Sequence, residues 1–342
     1  MTTGIRYPFD APPEHGAAIE VAEGVLWMRM PLPMALDHVN VYALDDGDGW
    51  TVIDTGFSAP RSRALWEALL SGPLKGKPVR RVLVTHHHPD HVGLAGWFQE
   101  RGAELLTTRT AWLFARMLTL DEEDRPSPAQ LDYWRRCGMA VEMLEKRANE
   151  RPFNFCDCVW PMPLGFTRIQ QDDRLEIGGR TWDVHIGDGH APEHATLWSR
   201  DDNLVLAGDQ ILSTISSNLG VYATEPEADP VAEWLESCER LSELARPEHL
   251  VLGGHKLPFT GLPFRMAQLI ENHHSALDRL HGYLAEPKAA GECFPVLFKR
   301  RIGEPEYGLA LVEAMAHCLH LWHEGRATRE IRGDGAWIWQ AV

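Results

Sequence analysis

The distribution of apolar and polar positions along the chain predicts two strand-rich halves with helices outside them. In the first half, Asn40–Asp54 holds two apolar runs around the polar turn Asp46–Gly49, which predicts a β-hairpin. Helical spacing follows at Ser58–Leu70, where Pro60 fits the first turn. The other elements predicted in this half are strands at 25–30, 81–85 and 105–107 and a helix at 92–100.

Between the halves, helical spacing without strands at 110–118 and 127–147 predicts a helical insertion at about residues 108–150. Strands return at 174–177 and 181–186 around a glycine turn. The elements predicted after them are strands at 196–199, 204–207 and 250–252 and a helix at 229–245. Because each sheet must bury one face on the other sheet and one face under helices, this order predicts a layered αββα sandwich of the α/β class.

The last part of the chain has a different pattern. Helical spacing at 265–284 and 307–324 is followed by short predicted strands at 326–331 and 336–339 around a glycine turn. Helices followed by a small hairpin predict a separate C-terminal subdomain. We therefore expect two domains, at residues 1–261 and 262–342.

Composition narrows the class of protein. The 342 residues include 33 basic and 49 acidic side chains, and the net charge of −16 disfavours an extended nucleic-acid surface. The chain has no run of 18 apolar residues that would predict a membrane span, and its Pro-rich start lacks the pattern of a secretory signal. Six scattered cysteines fit reduced thiols, so we expect a protein of the cytoplasm.

Candidate metal-binding residues are concentrated in the stretch that follows the strand predicted at 81–85. His86, His88, Asp90 and His91 fall within six residues, and imidazole and carboxylate are ligands of Zn²⁺, Mn²⁺ and Fe²⁺. On an extended backbone His86 and His88 project to one side, while Pro89 favours a turn that brings Asp90 and His91 toward a second position. This loop therefore predicts room for two neighbouring metals.

Three more ligand-type residues lie downstream, each directly after a glycine at the end of an apolar run. They are His190, Asp209 and His255. Because loops at the ends of strands converge in space, ligands that are far apart in sequence can meet there. A lone histidine at a strand end is more often structural, but the recurrence of the pattern favours one shared metal site.

These residues, in this order, resemble the motifs of the metallo-β-lactamase superfamily of hydrolases. The matching elements are H-x-H-x-D-H at His86–His91, the three glycine–ligand steps downstream, and Asp54-Thr55-Gly56, which is similar to the early D-T-G element of the superfamily. The resemblance covers residues 20–260 and implies an αββα sandwich with a dinuclear site at one edge. By its layout, the C-terminal part resembles the winged-helix extension of β-lactamase-like-2 proteins.

The resemblance also implies a set of ligands. The implied ligands are His86, His88 and His190 for one metal, Asp90, His91 and His255 for the other, and Asp209 as the bridge. We expect two divalent ions, Zn²⁺ in preference to Fe or Mn, although this ligand set accepts several metals. A hydroxide held by the metals would attack the substrate, with Asp209 and Asp90 as the catalytic carboxylates. The presence of an aspartate at position 209 is similar to the glyoxalase II-like branch of the superfamily.

Residues beside these ligands carry further expectations. Asp54 is predicted to accept a hydrogen bond from a ligating histidine, with a turn-capping role as the alternative. His87 is predicted to point away from the ligands. His194 belongs to a Glu193-His194 pair that replaces a glycine-containing version common in the superfamily. For His194 we expect a local structural hydrogen bond in preference to a contact with substrate.

The ligands do not separate the reactions of the superfamily, so the substrate depends on pocket residues. The candidates to line an apolar pocket, with a place in the core as the alternative, are Met117, Trp134, Trp160 and Phe166. We expect hydrolysis of a small ester or thioester, with phosphodiester cleavage by a metallonuclease as the alternative. A regulatory metal-binding protein and a mononuclear iron oxygenase are the other hypotheses. The expected partner is a small-molecule substrate, a homodimer is an option, and neither nucleic acid nor a membrane is expected.

Overall fold

A computed structural model describes residues 4–34, 36–298 and 300–342 of the chain. The described residues form two compact units that are not contiguous in sequence. The first contains the residues up to Glu122, Asn154–Ser217 and Leu241–Met266. The second contains Glu123–Phe153, Asn218–Arg240 and Ala267–Val342. The domain boundary predicted between residues 261 and 262 stays a prediction.

The first sheet of the first unit is built in chain order from seven strands within the described residues. The strands are Ile19–Ala22 (β1), Val25–Pro31 (β2), His38–Asp45 (β3), Trp50–Ile53 (β4), Val79–Leu83 (β5), Glu104–Thr107 (β6) and Thr167–Arg168 (β7). Neighbours from β1 to β4 are antiparallel, and those from β4 to β7 are parallel. Parallel strands need crossover connections, and the crossover after β5 contains the histidine-rich loop.

The second sheet of this unit contains the other strands that are followed by ligand-type residues. Its strands, in the part of the chain that is described, are Arg174–Ile177 (β8), Arg180–Gly187 (β9), His194–Ser199 (β10), Leu204–Gly208 (β11) and Leu250–Gly253 (β12). Their spatial order is β12-β11-β10-β9-β8, and only the β11–β12 pair is parallel. Consequently β9, β11 and β12 run in the same direction and end at the same edge of the sheet.

Apolar side chains of the two sheets meet in a shared core. Trp27 and Leu83 of the first sheet are buried together with Trp182, Leu197 and Leu252 of the second. Burying a large apolar side chain contributes about 1.5–3 kcal/mol relative to exposure. The order of strands and helices in the sequence predicts this packing of one sheet on the other.

The other face of the first sheet is covered by short helices. The helices of the first unit are Pro60–Ser71 (α1), Pro89–Val92 (α2), Ala95–Gln99 (α3) and Arg109–Leu120 (α4). Met28, which alternates with Trp27 along β2, is buried with Trp66 of α1 and with Trp97 and Phe98 of α3. The last two residues of β5, Val82 and Leu83, are buried in the helix-covered core and in the shared core respectively, so the histidine-rich loop follows a packed strand end.

The second unit is mainly helical. Its helices, of which α7 and α8 each extend by a few residues into the first unit, are Pro128–Arg136 (α5), Val141–Ala148 (α6), Pro230–Ser242 (α7), Leu262–Tyr283 (α8), Phe294–Leu297 (α9) and Tyr307–His323 (α10). A small antiparallel sheet with the order β13-β15-β14 consists of Lys288–Ala289 (β13), Ala327–Ile331 (β14) and Trp337–Ala341 (β15). The C-terminal hairpin predicted from the sequence is therefore confirmed.

The structure corrects the predicted elements in two places. The single helix predicted at 127–147 is two helices, because Gly138 adopts a φ of +75° after α5. The helix predicted at 92–100 begins earlier and is divided into α2 and α3. Strands β7 and β13 have two residues each, which is too short for a periodic signal, and the sequence pattern does not predict them.

Glu313 gives the second unit a pH-dependent stability that can be measured. It lies on α10, where burial raises the pKa of its carboxyl to about 7 and Asn218 Nδ2 donates a hydrogen bond to it over 2.7 Å. Tyr222, whose side chain is about half exposed, is a further titratable neighbour of Glu313. A carboxyl whose pKa is raised in the folded protein stabilises the fold at low pH and loses this contribution as the pH rises through about 7.

Glu313→Gln should therefore raise the stability of the protein at alkaline but not at acidic pH. The glutamine keeps an acceptor for Asn218 and cannot ionise. We expect a gain of up to about 2 kcal/mol in the free energy of unfolding at about pH 8 and little change at about pH 5. Denaturant unfolding of both proteins at the two pH values measures this. A gain of equal size at both would contradict the ionisation of Glu313.

Candidate metal centre

The ligand-type residues predicted from the sequence follow the C-terminal ends of four strands. The histidine-rich loop follows β5, His190 follows β9, Asp209 follows β11 directly, and His255 follows β12. Three of these strands end at one edge of the second sheet, which faces the first sheet across the core. The two sheets thus bring residues from distant parts of the sequence to one edge of the sandwich.

The structure brings together all seven of these side chains. Their potential ligand atoms fall into overlapping groups whose members all lie within 4.8 Å of one another. The groups are His86, His88 and His190; His86, His91 and Asp209; and Asp90, His91 and His255. The first and third groups have the composition that the family resemblance implies for two separate metals, and the second group connects them.

Asp209 lies between the outer two groups. Its Oδ2 atom is 3.6 Å from Nε2 of His190 and 3.2 Å from Nε2 of His255, and its Oδ1 atom is 3.4 Å from Nε2 of His91. Asp90 belongs to one side only, with its Oδ2 atom 3.3 Å from Nε2 of His255. One carboxylate therefore faces histidines of both groups, which is the position that a bridging ligand requires.

A carboxylate outside these groups orients histidines of both. Asp54 Oδ2 accepts hydrogen bonds from Nδ1 of His91 over 2.7 Å and from Oγ1 of Thr85 over 2.8 Å. The same Thr85 oxygen lies 3.0 Å from Nδ1 of His86. With Nδ1 protonated in each ring, Nε2 is the nitrogen left to bind a metal. The predicted contact of Asp54 with a ligand-type histidine is present, and it extends to a second histidine through Thr85.

In the metal-free cluster the carboxylates and two of the histidines stabilise each other's charged forms, since Asp209 and Asp90 raise the pKa values of His91 and His255 against the effect of burial. Burial alone would raise the pKa values of Asp209 and Asp90, but His255 and His91 hold both below the ordinary range. Burial lowers the pKa of His86 well below its usual value, as does the proximity of His91, so this imidazole is neutral, the form that binds metals.

Unpaired buried atoms test whether a divalent ion fits. Nε2 of His86, Nε2 of His91 and Oδ1 of Asp209 are buried and make no hydrogen bond to other described residues. Buried polar atoms normally have partners, because leaving one unpaired costs about 1–3 kcal/mol. These three atoms belong to one ligand group and face one another. The donor set therefore fits bound divalent metal ions, which would satisfy all three.

Asp54→Asn should weaken metal binding without disturbing the backbone. Asp54 has a φ of +59°, a conformation that asparagine tolerates, so the change removes mainly the negative charge. Loss of a carboxylate that supports ligating histidines typically reduces metal affinity by about 10- to 100-fold. Competition with a chromogenic chelator measures the affinity, and unfolding of the metal-free protein serves as the control. Unchanged affinity would show that Asp54 is only a turn residue.

Other predicted residues lie outside the ligand groups. His87 packs against Phe114 and Phe155, with ring centroids at 5.2 and 6.4 Å, and burial lowers its pKa to about 3. His194 accepts a hydrogen bond from the backbone N–H of Asp209, so the expected structural bond is present, but it reaches a residue after β11 and is not local. Trp160 and Phe166 pack against the core under the helices.

Glu193 has a role that the sequence analysis does not reveal. Its carboxylate accepts a hydrogen bond from the backbone N–H of Thr110 at the start of α4, over 2.8 Å. Its own N–H donates to Asp188, and its φ is +50°. A residue in this strained backbone conformation is retained where surrounding contacts hold it. The departure from the glycine-containing family version was visible in the sequence, but its partner on a distant helix was not.

Comparison with known proteins now defines the class. The family model described as the metallo-beta-lactamase superfamily matches residues 34–255, and the model described as the metallo-beta-lactamase-like C-terminal domain matches residues 277–342. The chain belongs to the metallo-beta-lactamase superfamily and is a metal-dependent hydrolase. The predicted family, fold class and C-terminal resemblance are thereby confirmed.

Individual relatives cover nearly the whole chain. A beta-lactamase domain protein from Burkholderia ambifaria is 37% identical with a TM-score of 0.89, over 99% of this chain and 97% of that one. A metallo-beta-lactamase family protein from Thermus thermophilus is 27% identical with a TM-score of 0.78, over 94% of this chain and 100% of that one. The probable metallo-hydrolase YqjP from Bacillus subtilis strain 168 is 26% identical over 86% of this chain and 91% of its own length.

The helices of the described residues differ from membrane spans in length and composition. None of them is both long and apolar enough to cross a bilayer.

Proposed function

We propose that the protein hydrolyses a small ester or thioester at a centre of two divalent metal ions, with Zn²⁺ as the native metal. The observation that carries the proposal is the position of Asp209, whose carboxylate oxygens face His190 on one side and His91 and His255 on the other. One ion would be held by the group around His190 and the other by the group around His255, with Asp209 bridging them.

The chain's own residues have separate tasks in this proposal. When bound, the two ions would lower the pKa of water and polarise the scissile carbonyl. Asp54 holds His91 directly and His86 through Thr85, so that both rings keep their orientation during turnover. Asp90 has the most exposed side chain of the carboxylates in the ligand groups, at 17% against 9% for Asp209. This exposure suits Asp90 to orient the nucleophile or accept its proton.

The charge of the chain is unfavourable for a polyanionic substrate. The net charge of −16 repels nucleic acid. This charge supports a small ester or thioester in preference to the phosphodiesters of nucleic acids.

The test is a substrate panel with protein of known metal content. We expect thioesters and esters to be hydrolysed by protein that holds two Zn²⁺ per chain, and chelation to remove both the metal and the activity. Addition of Zn²⁺ should restore both. Turnover of phosphodiesters with none of thioesters or esters would overturn the proposed substrate class. Full activity with one ion would overturn the dinuclear centre.

A further inference from the structure

We propose that His194 is a positioning residue for the metal centre, which it serves by holding Asp209 and His86 at the same time. This inference rests on the proposed function, because it concerns how the bridging carboxylate is held. His194 is the first residue of β10 and is fully buried. It pairs with Gly187 of β9, and the N–H of the next residue, Ala195, donates to the carbonyl of Thr85 over 2.8 Å. Its backbone is therefore fixed on both sides.

The imidazole of His194 contacts the backbone that carries Asp209. The N–H of Asp209 donates a hydrogen bond to Nε2 of His194 over 3.0 Å. Gly208, with a φ of +48°, leaves room for this ring, since a Cβ there would lie 2.5 Å from Cε1 and 2.7 Å from Nε2 of His194. The ring thus fills the space that a side chain at position 208 would take, and it fixes the peptide from which the bridging carboxylate projects.

The same ring also stacks on a ligand-type histidine. The ring centroids of His194 and His86 are 4.5 Å apart with an angle of 25° between the planes. His194 itself belongs to none of the ligand groups found among the described residues. Because its Nε2 already accepts a hydrogen bond, that nitrogen is not available to a metal. The geometry therefore gives His194 a supporting task toward two ligands and excludes it as a ligand through Nε2.

A matched pair of substitutions separates this task from simple core packing. Gln and Met have side chains of similar length and shape, but only Gln can accept the hydrogen bond from the N–H of Asp209. His194→Met should weaken the binding of both metal ions by about tenfold or more, because Asp209 belongs to both positions. His194→Gln should restore binding to within about threefold of the wild type for the same reason. The remaining difference reports the stacking on His86.

The control replaces another buried histidine. His249 lies directly before β12, at the end opposite to His255, and its Nδ1 also accepts a backbone hydrogen bond, from Arg246 over 3.1 Å. His249→Gln should leave metal affinity unchanged. The affinities are measured by competition with a chelator, and Co²⁺-loaded protein provides an absorption spectrum that reports ligand geometry. Unfolding of each metal-free variant shows whether a loss comes from the fold.

The outcomes distinguish the inference from the proposed function. Weaker metal binding and an altered Co²⁺ spectrum in His194→Met but not in His194→Gln would support the positioning role. Equal affinities in the wild type and His194→Met, or equal losses in both variants, would overturn it. If the wild type binds one ion only, the dinuclear proposal fails, and the affinity for that one ion still tests His194. If metal-free His194→Met is unfolded, the affinity of His194→Gln decides the question: a loss of about tenfold or more in this variant, which keeps the acceptor for the N–H of Asp209, would overturn the inference.

Discussion

Asp209→Asn is expected to remove nearly all metal-dependent activity while the protein remains folded. Asn has the size of Asp, so the packing around β11 is retained, but the amide has one oxygen and no charge to share between two cations. Asp209 faces His190, His91 and His255 at 3.6 Å or less, and no other carboxylate reaches histidines of both outer groups among the described residues. We expect the activity to fall by roughly 10²- to 10³-fold.

Asp45→Asn provides the matched control for this prediction. Asp45 pairs with Lys77 over 2.8 Å at the end of β3 and takes no part in the ligand groups. Its replacement should change neither metal content nor activity. Metal analysis and turnover of the two variants under the same conditions measure the difference. An Asp209→Asn variant that kept both the full metal content and the activity would remove the basis for the proposed centre.

Gly254→Ala is the second substitution with a large expected effect. A Cβ at this position would lie 2.7 Å from Cε1 of His91 and closer still to Oδ1 of Asp209, nearer than real Cβ contacts occur. The backbone cannot move away, because the N–H of Gly254 donates to Gly208 over 2.7 Å and its carbonyl accepts from Asn40. The strain therefore acts on the two ligand-type side chains.

We expect Gly254→Ala to reduce activity by about 100-fold or more, since a displacement of about 1 Å at a reacting centre has effects of this size. Metal content should fall with it. Gly282→Ala is the control, because a Cβ at Gly282 meets open space and this residue lies on α8. Turnover and metal content of both variants check the prediction. Normal metal binding by Gly254→Ala would mean that the site tolerates a different arrangement of Asp209.

The sequence predicted the ligand-type residues that the structure brings together because their chemical types are unusual in combination. His86 to His91 contain four side chains of types that can bind a metal, and His190, Asp209 and His255 each follow a glycine at a strand end. The structure brings all of them to one edge because β9, β11 and β12 run in the same direction. The residues that orient each histidine depend on the directions of side chains, and the spacing of residues in the sequence does not encode these directions.

The supporting residues were less accessible to prediction. Thr85 reaches both Asp54 and His86 only because its hydroxyl points into the space between them. His194 is the first residue of β10 and has no neighbour in sequence that indicates its contact with Asp209. The break of the helical insertion at Gly138 was missed because glycine is tolerated within helices, and only its positive φ shows that it ends α5. For Thr85 and His194 the information lies in contacts with other strands, and for Gly138 it lies in a backbone conformation that spacing does not encode.

A zinc titration decides whether two metal ions act together in one centre. Metal-free protein is titrated with Zn²⁺ while bound metal and thioester hydrolysis are followed in the same samples. If Asp209 bridges two ions, activity should continue to rise until two equivalents are bound per chain. Activity that is complete at one equivalent, and unchanged by the second, would contradict a dinuclear centre.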